Sequence, residues 1–209
     1  KAKKNLAKNK NFCLKELTRD KEKEKLINFS KPFIEILPNA LIIRTKDLKR
    51  FKSYIGSKNS VNLHRLLQNN GFMFGYIEHR SYTKNIDNLL FINDGKKHLR
   101  PKIVKDSVSG LVEPLANEVF DYTIEYPTVV SYTKSDLKID VEFSKFPIMD
   151  SDELVPLYVG CSQNEFGKKV IKDVNKIIDE NRPMFINFYK TWLDYDSKKQ
   201  YEEYLKGDK

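Results

Sequence analysis

The sequence predicts an α/β protein, and three observations lead there. Short apolar runs of strand length, Leu41-Ile42-Ile43, Phe72 to Ile77, Phe120 to Glu125 and Leu157 to Cys161, alternate with stretches of helical spacing. A chain of 209 residues, 40% apolar and 32% charged, can bury a core as one large domain or two small lobes. No apolar run approaches the ~18 residues of a membrane helix, so no membrane insertion is expected.

Asp47 to Tyr54 reads as a short amphipathic helix. Ser60 is placed to cap a helix carrying Leu63, Leu66 and Leu67, which Asn69-Asn70-Gly71 ends. Phe72 to Ile77 is a short buried strand containing Gly75. Ser81 is placed to cap the next helix, with Ile86, Leu89 and Leu90 on one face. Val104, Val108, Leu111, Val112 and Leu115 form a further helical stripe. Phe120 to Glu125 reads as a strand, and Pro127 opens a helix at its first position, where a missing N–H costs little. After the strand ending at Cys161, Asn164 reads as the N-cap of the most regular helix, with Phe166, Val170, Ile171, Val174, Ile177 and Ile178 at i, i+3, i+4 spacing. Pro183 starts a final helical pair holding Phe185, Phe188, Trp192, Tyr201 and Tyr204, aromatics that read as core.

The net charge is +9. Lysine is spread along the chain with Asp and Glu interleaved, which describes solvated faces; the one dense basic run is the first ten residues. No Arg-rich stripe or RNP-type aromatic motif points to nucleic acid. His64, His79 and His98 lack metal-ligand spacing and no CxxC joins them, so no metal is expected. GxGxxG, Walker A and GxSxG patterns are absent, and neither a cofactor nor a catalytic residue is predicted. Asn28-Phe29-Ser30 matches a glycosylation acceptor. Cys13 and Cys161 are open to two readings from spacing alone, one disulfide or two core thiols. The chain starts at Lys1 without Met or signal peptide, so a removed leader or a missing N-terminal piece is expected.

Three motifs follow one another early. Thr18 to Lys25 is charged; Leu26-Ile27-Asn28-Phe29-Ser30-Lys31-Pro32-Phe33 has the form of a kinked Phe-Ser-x-Pro-aromatic segment; Pro38-Asn39-Ala40-Leu41-Ile42-Ile43-Arg44 is apolar. Late in the chain come Tyr158-Val159-Gly160-Cys161-Ser162, Phe166-Gly167, Val170-Ile171 and Val174-Asn175, then Arg182, Phe188, Tyr189, Trp192-Leu193 and Tyr201, with Asn117 to Tyr122 between the two sets. This order resembles type II periplasmic solute-binding proteins, the receptors of ABC importers. The resemblance implies two α/β lobes joined by two hinge strands. Lobe 1 would be discontinuous (1–41 and 156–209), lobe 2 would be 42–155, and the family's opening strand, helix and strand would lie outside this chain. It implies a periplasmic or secreted monomer that does no covalent chemistry, captures a small-molecule solute in the inter-lobe cleft and hands it to an ABC transporter permease. It also places Cys13 and Cys161 in one lobe, which favours a disulfide and an oxidising compartment.

The family's carboxylate-binding Arg falls on Lys23, a point charge that cannot make a forked contact. Its ammonium-binding Asp falls on Tyr126, with Glu125 beside it. Both departures argue against a standard α-amino acid. The loop Glu78-His79-Arg80-Ser81-Tyr82 is the densest polar and aromatic cluster, at a strand exit where open α/β sheets bind ligands. Phe33 in the kink and Tyr158 in the returning strand complete the candidate ligand set of Lys23, Phe33, Glu78, Arg80, Ser81, Tyr82, Glu125, Tyr126 and Tyr158. A sensory or protein-interaction module of the same fold, without a transport role and without small-molecule binding, is the second reading. An enzyme using Glu78 and His79 as acid and base lacks a nucleophile and an orienting group, and nucleic-acid binding would rest on the N-terminal basic run alone.

Overall fold

A computed structural model of the chain describes residues 11–103 and 110–207. The basic run at residues 1–10 and the predicted stripe positions Val104 and Val108 lie outside the described residues. The strands are β1 (Cys13–Leu17), β2 (Ile27–Phe29), β3 (Ile34–Ile36), β4 (Ala40–Arg44), β5 (Phe74–Ile77), β6 (Leu99–Lys102), β7 (Tyr122–Glu125), β8 (Phe143–Pro147) and β9 (Val155–Ser162). The helices are α1 (Lys21–Glu24), α2 (Leu48–Phe51), α3 (Leu63–Leu67), α4 (Lys84–Ile92), α5 (Val112–Ala116), α6 (Pro127–Asp136), α7 (Glu165–Thr191) and α8 (Tyr195–Gly207). They form two compact units. The first takes in the chain to Leu37, Glu153–Thr191 and the stretch from Tyr201; the second is Pro38–Asp152 with Trp192–Gln200.

In the first unit β9 is the central strand. β1 pairs antiparallel along one edge, and β2 and β3 pair in succession along the other. Ser30-Lys31-Pro32 separates β2 from β3 because Pro32 has no N–H to offer the ladder. The break is bridged rather than open. The Ser30 N–H donates to Val159 O (2.9 Å), Ser30 Oγ accepts from the Val159 N–H (3.0 Å), and the Phe33 N–H donates to Leu157 O (3.0 Å). Cys13 lies directly opposite Cys161 in the register and is joined to it by a disulfide.

α7 starts at once after β9. Asn164 Oδ1 accepts from the Gly167 N–H (2.9 Å), as its predicted N-cap role requires. Gly167 has no substitute there, since a Cβ would lie 1.9 Å from Ser162 O. Pro183 does not start a helix: it lies inside the 27-residue α7. The single backbone bond it removes is outweighed by a face that buries Ile171, Ile178 and Tyr189 and by Arg182, which pairs with Glu35 at 2.8 and 2.9 Å. The helix instead ends before Asp194, whose carboxylate accepts from the Ser197 N–H (2.9 Å) at the start of α8.

In the second unit the sheet order is β6-β5-β7-β4-β8. β5 runs parallel to β6 and β7, and β4 runs antiparallel to β7 and β8. β4 is buried on both faces, and its alternation divides the core. Leu41 and Ile43 join Phe51, Leu63, Leu66, Leu67, Ile86 and Tyr122; Ala40 and Ile42 join Leu111, Val112, Leu115, Phe120 and Val130. The crossover β5–α4–β6 therefore covers one face and β6–α5–β7 the other. Gly75 permits close packing with Phe120, whose ring carbon would lie 2.4 Å from an added Cβ. Two predicted caps are corrected. Asn62, not Ser60, caps α3 by accepting from the Arg65 N–H, and Thr83, not Ser81, caps α4 by accepting from the Ile86 N–H. In both cases the cap must sit directly before the first helical residue to reach the third N–H, and the sequence places the predicted serine two residues too early.

Candidate functional site

Because β5 and β7 are parallel neighbours whose crossovers leave on opposite faces, the strand order reverses between them. In open α/β sheets a crevice outside the carboxyl ends of such strands is the usual place for a ligand. Arg80 leaves the end of β5 and Glu125 is the last residue of β7. Asn39, just before β4, comes to the same end because Ala40 registers with Glu125.

These three residues meet. Arg80 Nη1 donates to Glu125 Oε2 (2.6 Å) and Nη2 to Oε1 (2.7 Å), a forked charge-assisted pair. Nη2 also reaches Asn39 Oδ1 at 3.4 Å. Glu125 Oε1 takes a third donor, the Tyr126 N–H (2.9 Å). The guanidinium lies over two rings, 4.7 Å from the centroid of Tyr82 and 5.7 Å from that of Tyr126. The Glu125 side chain is 1% exposed and that of Arg80 16%.

The loop geometry explains how Arg80 turns inward. His79 adopts φ 62°, a left-handed conformation unusual for a non-glycine residue, and its own side chain is left in solvent. The Tyr82 hydroxyl then accepts from the Ile77 N–H (3.0 Å), folding the loop back on β5. Asp87 in α4 fixes the far side, accepting from Ser81 Oγ (2.7 Å) and from the Tyr82 N–H (2.9 Å). Burial works against the Arg80 charge, but the hydrogen bonds and charge of Glu125 outweigh it and hold the guanidinium above its ordinary pKa. Burial pushes the Tyr82 phenol up to about 12 and also raises that of Tyr126.

Of the residues singled out in the sequence, Arg80, Tyr82, Glu125 and Tyr126 are thus brought together. Ser81 is one residue away but is engaged with Asp87. Glu78 lies beside exposed His79, at 3.7 Å, rather than facing Arg80. Lys23, Phe33 and Tyr158 belong to the first unit. Lys23 closes its own turn, with Nζ donating to Thr18 O and Oγ1 (both 3.0 Å) and pairing with Asp20 at 2.7 Å. Phe33 packs edge-on against Phe185, and Tyr158 packs edge-on against Phe29, with Arg19 5.9 Å from the Tyr158 ring centroid. Sequence reasoning missed Asn39 and Asp87. Asn39 stands between Pro38 and an apolar strand, a position that flags a strand entry, but only the register opposite Glu125 brings it to the site.

Among the described residues no group of three or more His, Cys, Asp or Glu side chains is placed to hold a metal ion. No helix among them is long and apolar enough to cross a membrane.

No protein-family model matches the chain, and no curated protein matches it. Solved structures do. The chain is similar to an ancestral cationic amino acid solute-binding protein, with TM-score 0.59 and 11% identity over 91% of this chain and 73% of that one. It is similar to an amino acid ABC transporter substrate-binding protein from Streptococcus pneumoniae bound to L-arginine, with TM-score 0.59 and 13% identity over 94% and 71%. A histidine kinase sensor domain with similarity to periplasmic binding proteins gives TM-score 0.57 and 12% identity over 90% and 71%. At these identities the likeness shows the fold, which is the type II periplasmic binding protein fold.

Proposed function

We propose that this chain is an extracytoplasmic solute-binding protein that captures a small molecule for an ABC-type importer, with the two compact units as its lobes and no covalent chemistry. The observation that carries this reading is the Arg80–Glu125–Asn39 cluster, flanked by Tyr82 and Tyr126, at the carboxyl ends of β5 and β7 where the strand order reverses. A buried charged pair with aromatic walls is the kind of convergent polar group by which small-molecule sites fix orientation. The disulfide supports an oxidising compartment such as the periplasm. Solved proteins of this fold that bind amino acids support the solute class in general terms.

One observation favours a second reading, the likeness to a histidine kinase sensor domain: a receptor that signals rather than delivers. Delivery and solute-triggered signalling both require a solute, whereas a protein-interaction module does not. A thermal-shift screen of the chain across amino acids, short peptides, sugars and small carboxylates tests this, because a ligand of the folded state raises the melting temperature by mass action. A hit that is lost in Tyr126→Ala supports the site. A broad panel without a hit overturns solute capture and leaves a protein-interaction module. Reconstitution of solute uptake with a candidate permease separates delivery from signalling.

A further inference from the structure

We infer that the Arg80–Glu125 centre receives the oxygen-rich, non-cationic head of its solute, a carboxylate, carbonyl or hydroxyl group, and excludes free ammonium and guanidinium groups. The inference rests on the solute-binding reading above and names the class of molecule that site takes. The acidic group of the cluster is already filled from within. Both oxygens of Glu125 accept from the Arg80 fork at 2.6 and 2.7 Å, Oε1 accepts a further N–H from Tyr126, and the side chain is 1% exposed. An incoming ammonium would have to share that carboxylate with Arg80, placing two cations on one anion in a buried site, or displace a guanidinium that also lies over the Tyr82 and Tyr126 rings.

An oxygen head meets no such obstacle. The Arg80–Glu125 pair is neutral as a unit, so a neutral acceptor needs no compensating charge, and any acceptor can reach the pair through the partly exposed Arg80, whereas a cation would have to reach Glu125, which is sealed. A guanidinium has five N–H donors. Three are directed to Glu125 and Asn39, which leaves two without a partner among the described residues on a side chain that is 16% exposed. Arg80 therefore acts as a tethered cation that both blocks the acidic place and offers donors to an acceptor. This chain would then differ in head-group preference from the solved Streptococcus pneumoniae protein that shares its fold and is bound to L-arginine.

The experiment pairs probes that differ only in the cationic group, read by calorimetry and thermal shift on the full chain. L-glutamine is compared with N-acetyl-L-glutamine and L-glutamate with glutarate, alongside neutral sugars. The expected result is binding by an acetylated, desamino or neutral probe at least tenfold tighter than by any free amino acid. Free amino acids binding tenfold tighter than their counterparts would overturn the inference and keep the solute-binding reading. Silence across the whole panel would overturn both. A second arm needs no solute: Arg80→Gly opens the acidic place, and methylguanidinium is expected to raise the melting temperature of this variant while leaving the wild type unmoved. Arg80→Lys, which keeps a cation in the site, serves as the folded control. Equal response of Arg80→Gly, Arg80→Lys and wild type to methylguanidinium would show that Arg80 does not fill that place.

Discussion

Arg80 and Glu125 meet through two hydrogen bonds of 2.6 and 2.7 Å at the ends of adjacent parallel strands, with the carboxylate sealed from solvent. A pair of this kind is asymmetric in its energetics. Removing one partner leaves a buried charge alone, whereas replacing both with apolar groups restores a neutral interior. Arg80→Met is expected to destabilise by roughly 3–5 kcal/mol, and Arg80→Met with Glu125→Leu is expected to be more stable than Arg80→Met alone. Urea denaturation of the single and double variants checks this. A cost under about 1 kcal/mol for Arg80→Met, the range of an exposed pair, would mean the guanidinium is not needed by Glu125.

Tyr82 gives the site a signature at high pH. A tyrosine in the unfolded chain ionises near 10, but Tyr82 keeps its proton in the folded chain to about 12 because of burial. The unfolded state therefore loses this proton first. The stability that the neutral phenol contributes is complete below pH 10 and declines as pH rises toward 12, by up to about 2–3 kcal/mol. Tyr82→Phe is expected to be about 1 kcal/mol less stable than wild type at pH 7, from the lost bond to the Ile77 N–H. That gap should close and then reverse between pH 10 and 12. Paired melting curves across this range test the sign, and a constant gap would count against the assignment.

The disulfide closes a very long loop, since Cys13 and Cys161 are 148 residues apart. Bridges of this kind stabilise chiefly by restricting the unfolded chain, and their loss typically removes about 2–5 kcal/mol. Cys13→Ala with Cys161→Ala, or a reductant on the wild type, is expected to lower the melting temperature. The drop should be equal for the two treatments, and reductant should do nothing further to the double variant.

Gly167 tests the junction between β9 and α7. An added Cβ would fall 1.9 Å from Ser162 O, a backbone atom that cannot swing aside. Gly167→Ala is expected to destabilise by about 1–3 kcal/mol or more, although alanine is otherwise the better helix former. Gly207→Ala, at a position open to space, is the matched control and should be neutral or slightly stabilising.

Much of the second unit was legible as sequence. Apolar runs at β4, β5 and β7 marked strands, and Pro127 marked the start of α6. The serine caps were misplaced by two residues each because a polar residue near a helix start looks the same whether or not its oxygen can reach the right N–H. Pro183 misled for a related reason: its local cost is fixed, but the packing of α7 along Ile171, Ile178 and Tyr189 exceeds it. β1, β2, β3, β6 and β8 were not predicted as strands. They are short or charged, as in Cys13–Leu17 and Leu99–Lys102, and are held by ladder bonds to partners distant in sequence.

The sequence by itself determined the α/β class, the resemblance to binding proteins with its order of motifs, and the candidate loop at 78–82. It did so because apolar periodicity and turn chemistry are local properties. Tertiary structure alone decided that Arg80 pairs with Glu125 and that Asn39 joins them, and it set the register in which Cys13 faces Cys161 for the disulfide that the resemblance implied. Each of those contacts depends on strand register across tens of residues or more, and register is set by which faces must be buried together rather than by any residue's own preference.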